Sequence, residues 1–168
     1  MRPASPPKRS FAGFRPSGNT RYPPVFSRPH VGQVHIYGAV MHCRATQRYC
    51  LVQGQRTGKW SFPKGHIKEN ETPLECVARE TAEETGIDVL PSPLHEVRLR
   101  AGVYYAFEVP MELGLNPRDL TEIERGGWFT LQEMAVMNLN IDASTFVRRQ
   151  LQVRQRMEAP FQMQQTTH

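Results

Sequence analysis

The chain has 168 residues, 39% of them hydrophobic and 22% charged, with a formal net charge of +5, which suits one domain with a real core. No apolar run approaches membrane-spanning length, and three cysteines (Cys43, Cys50 and Cys76) without CxxC spacing argue against a disulfide framework or a structural zinc site. The charge is uneven: twelve Lys or Arg precede the first acid, Glu69, and nine follow it against all sixteen carboxylates, a distribution suited to a polyanionic substrate drawn in by a basic front and then held through metal.

Residues 1–30 hold seven prolines, six basic residues and no acid. Such a stretch buries too little surface to offset its chain entropy, so it reads as a disordered tail. Three roles stay open for it: a plain solvated tail, a basic arm for nucleic acid, and a mitochondrial transit peptide, whose required amphipathic helix these prolines would break. The cysteine usage suits a reducing compartment, cytoplasmic or nuclear.

The domain proper is expected over 31–158. Val34 to His42 reads as a strand, with Gly38 marking a bulge or the close approach of another backbone. A turn near Ala45 to Gln47 leads to a second strand, Tyr49 to Gln53. Trp60 to Gly65 is extended, because Pro63 disfavours helical geometry at Phe62.

Thr72 or Pro73 to Thr85 predicts a helix: Thr72 can cap it, Pro73 suits its first position, Glu71 and Glu75 favour its positive end, and Gly86 can close it. Glu80, Glu83 and Glu84 then share a face at i, i+3, i+4 spacing, while Leu74, Val77, Ala78 and Thr81 are expected on the stripe facing the core. Three crowded carboxylates repel unless a partner neutralises them. A hard divalent cation with oxygen ligands, Mg2+ or Mn2+, is the natural one; the bland alternative is a solvated acidic face.

Downstream, Glu96 to Ala101, Val103 to Val109 and Gly126 to Thr130 alternate like strands, and Leu131 to Met137 reads as a helical turn. Asp142 is expected to cap a last helix reaching about Met157, with Phe146, Val147, Leu151 and Val153 on its apolar face and Arg148, Arg149, Arg154 and Arg156 elsewhere. Residues 159–168 read as a flexible tail. Strands on both sides of a helix, with a second long helix, suggest a mixed sheet between helical layers.

Gly65, Glu71, Arg79-Glu80, Glu83-Glu84 and Gly86-Ile87 together resemble the Nudix box, Gly-x5-Glu-x7-Arg-Glu-U-x-Glu-Glu-x-Gly-U, where U is aliphatic. Only Thr81, at the first U, departs from it. The resemblance implies a Nudix-type α/β/α sandwich with a mixed central sheet and a metal-dependent hydrolase that cleaves a diphosphate linked to another group. It also implies metal ligation by Glu80, Glu83, Glu84 and the Lys64 carbonyl, with Arg79 orienting the cluster through Glu71.

Within that family, LVQG, W-x-FPKG and C-x-x-RE around the box are similar to the catalytic domain of mRNA-decapping enzymes. Glu122-Ile123 ahead of Trp128 is spaced like a decapping enzyme's Glu-Ile, which makes Glu122 the candidate general base, with Glu124 its competitor. The likeness implies a capped RNA or nucleotide substrate, while the acid-free front and the four arginines of the last helix point to RNA phosphate contacts there, Arg148 and Arg149 among them. Trp60, Lys64, Gly65 and Tyr104 are further candidates for substrate binding. Two other substrate classes remain open, dinucleoside polyphosphates and diphosphoinositol polyphosphates; PKGH at Pro63 to His66 and the position of Tyr104 resemble the dinucleoside polyphosphate hydrolases. A Nudix-like module that binds RNA or a nucleotide without cutting it is the reading of another class.

Overall fold

A computed structural model describes residues 35–162. The expectations for residues 1–30, and for most of the C-terminal tail, lie outside them. Seven strands are β1 (Ile36–Cys43), β2 (Arg48–Gly54), β3 (Trp60–Ser61), β4 (Lys64–His66), β5 (His95–Arg98), β6 (Val103–Val109) and β7 (Ile123–Phe129); the helices are α1 (Pro73–Thr85), α2 (Leu131–Ala135) and α3 (Ile141–Gln162).

The sheet runs β3-β2-β1-β6-β5, with β4 paired to β1 and β7 to β2. β1 is parallel to β6 over Tyr37 to Cys43 and antiparallel to β2 and β4, so the sheet is mixed. Because strand side chains alternate, β1 feeds two cores. Tyr37, Ala39 and Met41 pack with Cys76 and Val77 of α1, whereas Val40 packs with Tyr104 and with Phe146 and Val147 of α3. The helices therefore cover opposite faces, giving the α/β/α sandwich. Phe146 meets both Tyr49 and Phe62 edge-on, at ring separations of 5.3 and 5.2 Å, each such pair adding about 0.5–1.5 kcal/mol beyond area burial.

α1 forms where its caps predict. The Thr72 side chain accepts from Glu75 N–H while the Glu75 carboxylate accepts from Thr72 N–H, and Gly86 closes the helix in the left-handed region at φ 79°. Its core stripe differs from expectation: Ala78 is exposed, and Cys76, Val77, Glu80, Thr81 and Glu84 are buried. Positions 77, 80, 81 and 84 fall at i, i+3, i+4, i+7, so two of the carboxylates share the buried face instead of opposing it.

Other differences have local causes. β5 stops at Arg98 because Leu99 N–H turns back to the Gly102 carbonyl. β7 begins three residues before Gly126, since β2 pairs with it from Ile123 onward across a bulge at Gln53/Gly54. Asp142 does not cap α3. Asn140 does, its side chain accepting from Ala143 N–H at 2.9 Å, while Asp142 lies in the first turn, fully buried. Val153 is 51% exposed and drops out of the apolar face of α3. α3 itself continues to Gln162, four residues into the stretch read as a tail.

Candidate active site

Arg79 is the hub. Its Nε and Nη2 donate to the two Glu71 oxygens at 2.7 and 3.0 Å, and Nη2 also donates to the His66 carbonyl at 3.0 Å. Nη1 reaches Glu80 at 2.5 Å and Glu83 at 3.1 Å. The planar guanidinium thus ties the loop before α1, the end of β4 and two helix carboxylates into one unit, which a lysine could not do. Glu71 is held below the usual carboxylate range by that hydrogen bond, and Arg79 is pushed up by the same pair.

Glu80 lies against the backbone of Gly65, where a Cβ would collide with its carboxylate. Glu84 accepts from Lys64 N–H at 2.9 Å. Burial pushes Glu80 up, and it pushes Glu84 up to about 8, with the charges of the other carboxylates adding to both effects. Glu80 has the Arg79 guanidinium, whereas Glu84 forms no ion pair among the described residues and is short of positive charge.

That shortage, together with a donor set made wholly of oxygens, fits a hard divalent cation. Among the described residues, however, no three His, Cys, Asp or Glu side chains converge into a ready cage, because Arg79 holds Glu80 and Glu83 instead. The residues fit such an ion in kind, and Glu83, with its side chain 43% exposed against 11% for Glu80, is the more accessible of the two carboxylates that Arg79 holds.

Glu122 is exposed in the loop before β7, and its carbonyl accepts from Gln55 N–H at 2.7 Å. Its N–H donates to the Asp119 carboxylate at 3.3 Å, and Asp119 N–H donates to the Glu83 carbonyl, so this loop lies against the end of α1. Lys64 brings positive charge to Glu84 as well.

The remaining candidates are scattered. Tyr104 is 0% exposed, and its hydroxyl donates to Asp142 at 2.7 Å. It is a core residue that cannot meet a substrate, and the reading of it as a substrate contact is corrected. Trp60 is half-buried, edge-on to Phe129 at 4.9 Å and overlaid by the Arg125 guanidinium at 5.6 Å. Arg148 and Arg149 are exposed on α3, across the sheet from the box, with Arg149 donating to the Arg98 carbonyl at 2.8 Å.

Sequence reasoning missed the strap that carries Glu122. Arg118 N–H and Asp119 N–H both donate to the Glu83 carbonyl, Asn116 N–H donates to that of Thr85, and Arg118 pairs bidentately with Asp88 at 2.6 and 2.7 Å. These bonds satisfy carbonyls that the end of α1 leaves unpaired, and no local pattern announces them. The one departure from the box is visible too: the buried Thr81 hydroxyl has no hydrogen-bond partner among the described residues.

A mixed sheet between α1 and α3, with this loop-helix carboxylate unit, defines a Nudix-type protein. The sequence matches the family described as NUDIX domain over residues 28–150, and the chain belongs to that family. It is 27% identical over 116 residues to the Schizosaccharomyces pombe mRNA decapping complex subunit 2, covering 64% of this chain but 16% of that protein. It is 29% identical over 119 residues to phosphatase NudJ of Escherichia coli O1:K1 / APEC, covering 64% of this chain and 72% of that one. The solved Caenorhabditis elegans Ap4A hydrolase shares the fold at a TM-score of 0.52 and 19% identity, over 68% of this chain and 93% of the other. The chain thus spans about a sixth of the decapping subunit's length. No helix among the described residues is long and apolar enough to cross a membrane.

Proposed function

We propose that this protein is a divalent-metal-dependent hydrolase that cuts a diphosphate bond in the 5′ cap of mRNA and releases a nucleoside diphosphate. The observation that carries the reading is the pair of buried carboxylates, Glu80 and Glu84, the first held by Arg79 and the second by the Lys64 backbone N–H, with Glu84 raised by burial. Glu80, Glu83, Glu84 and the Lys64 carbonyl would hold Mg2+ or Mn2+, which when bound screens phosphate charge and makes water easier to deprotonate. Glu122 takes the proton from the water that attacks phosphorus. Lys64 offsets the phosphate charge, and Arg79 keeps the box carboxylates in register. Arg148 and Arg149, on the far face, engage the body of a long RNA through its phosphates.

Two observations support the cap over a dinucleoside polyphosphate: Tyr104, which favoured the latter, is core, and Glu122-Ile123 ahead of Trp128 resembles the decapping pattern in spacing. The competing reading draws on phosphatase NudJ and the Ap4A hydrolase, of whose lengths the chain covers 72% and 93%, against 16% for the decapping subunit. A panel of capped RNA, diadenosine tetraphosphate, diphosphoinositol phosphates and NADH, assayed with Mg2+ and Mn2+, decides. The highest kcat/KM is expected for capped RNA; a higher value for diadenosine tetraphosphate reverses the assignment, and no turnover at all leaves a binding module.

A further inference from the structure

Beside the box, the turn joining β2 to β3 and the loop ahead of β7 enclose a recess of about 290 Å³ lined by Gly54, Arg56, Thr57, Thr121 and Glu122. The turn is closed on itself, Gly54 N–H donating to the Lys59 carbonyl at 3.0 Å and Gly58 N–H to the Gly54 carbonyl at 2.8 Å. It is also tied to the opposite wall, where Gln55 N–H donates to the Glu122 carbonyl at 2.7 Å. The recess is therefore held from both sides.

Its wall chemistry is unbalanced in an informative way. Arg56 carries a permanent charge and five donors, yet forms no ion pair or hydrogen bond with another described residue. The Thr57 hydroxyl accepts from Lys59 N–H at 3.2 Å, which leaves its proton available to donate. Thr121 has spent its proton on Asp119 at 2.6 Å. On the rim stands Glu122, and its loop is tied to the end of α1, where Asp119 N–H donates to the Glu83 carbonyl at 3.0 Å and the Thr121 hydroxyl donates to Asp119, so the recess lies beside the carboxylate-bearing end of the helix. A cation with unused donors and a free hydroxyl suit one end of an anion whose other end would be held through a divalent cation at the neighbouring carboxylates.

We propose that Arg56 and Thr57 form a phosphate subsite, which takes the phosphate of a polyphosphate chain next beyond those held at the box carboxylates. The inference rests on the polyphosphate-hydrolase reading and deepens it, by making the number of phosphates, and not the base, what this side of the site measures. Planar donors match phosphate oxygens in pairs, so arginine binds better here than a lysine would. A substrate with three or more bridged phosphates fills the subsite, and one with two leaves it empty.

Binding of inorganic tripolyphosphate and of pyrophosphate in saturating Mg2+, followed by calorimetry, tests this without requiring hydrolysis. Arg56→Ala is expected to weaken tripolyphosphate by about tenfold and pyrophosphate by less than twofold. Arg56→Lys should fall between wild type and Arg56→Ala. Lys59→Ala, an exposed charge on the same turn, should change neither, and all variants should keep the wild-type Tm. The proposal is overturned if tripolyphosphate does not bind, if Arg56→Ala leaves it within twofold of wild type, or if Lys59→Ala weakens it equally, since the effect is then general charge alone. Failure of the hydrolase reading would instead appear as absent turnover with this binding pattern intact.

Discussion

Glu84 concentrates the electrostatic tension of the site in one residue. Its carboxyl is pushed up to about 8, first by burial and then by Glu80 and Glu122, against the help of Lys64. A carboxyl raised in the folded state favours folding fully below its ordinary value near 4.5, and that contribution is lost as pH rises through about 8. Without metal, Glu84→Gln should therefore match wild type in Tm near pH 5 and exceed it near pH 8. Mg2+ should stabilise wild type more at pH 8 than at pH 5, and the variant little. The same substitution should lower kcat by about 10²–10³-fold. Equal Tm at both pH values would mean that Glu84 is not under strain; near-normal turnover at saturating metal would remove it from the site. Glu122 makes a separate claim. Its role as base predicts that Glu122→Gln lowers kcat by about 10²–10⁴-fold, leaves Mn2+ affinity nearly unchanged, and flattens the acidic side of the pH-rate profile. Retention of that limb in Glu122→Gln, with its loss in Glu124→Gln, would move the role two residues along β7.

At the scale of elements, what sets the distance between α1 and Glu122, the proposed base, is the strap from Asn116 to Asp119. It hangs on the last carbonyls of α1 by three backbone bonds and on Asp88 through Arg118. The Arg118–Asp88 pair is exposed, so its loss should hardly touch stability; its effect belongs to positioning, where small displacements of reacting groups carry large penalties. Arg118→Ala should lower kcat by about tenfold with KM and Mn2+ affinity close to wild type. Exchanging the charges, Arg118→Asp with Asp88→Arg, should recover much of the loss. Parallel falls in Tm and kcat that the exchange does not recover would reduce the pair to a structural tie.

The whole molecule presents two helix-covered faces of one sheet. α1 and its carboxylates cover one, and α3 with Arg148 and Arg149 covers the other, so an RNA that touches both must pass around the sheet. The basic residues 1–30 add a third source of positive charge. Removing residues 1–28 should weaken RNA binding and reduce the slope of log K against log salt by roughly 0.7 to 0.9 for each phosphate that is no longer neutralised, while hydrolysis of a small dinucleotide stays near wild type. An unchanged slope would assign the segment no part in RNA binding.

Read from the chain alone, the box and α1 were legible to the residue, because caps, helical period and the Gly65 and Gly86 requirements are all local. The strands β1, β2 and β6 were legible for the same reason, as runs of alternating or continuous apolar residues. The family followed from these features, and the sandwich followed from the family. Other features depended on contacts between distant segments. Asp142 looks like a cap in sequence, but Tyr104, 38 positions earlier, claims its carboxylate. Tyr104 looks like a substrate contact, but β1 and α3 bury it. Glu80 and Glu84 look like part of a face opposite the core stripe, and only the approach of the Gly65 backbone and the sheet buries them. The Arg118 strap and the Arg56 recess join stretches 30 to 68 residues apart, a distance over which local spacing carries no information. Local chemistry in the sequence therefore determined the helix, its carboxylates and the family. Tertiary packing alone decided which of those charges are desolvated and which loops stand over them, because burial and electrostatic strain are properties of neighbours in space.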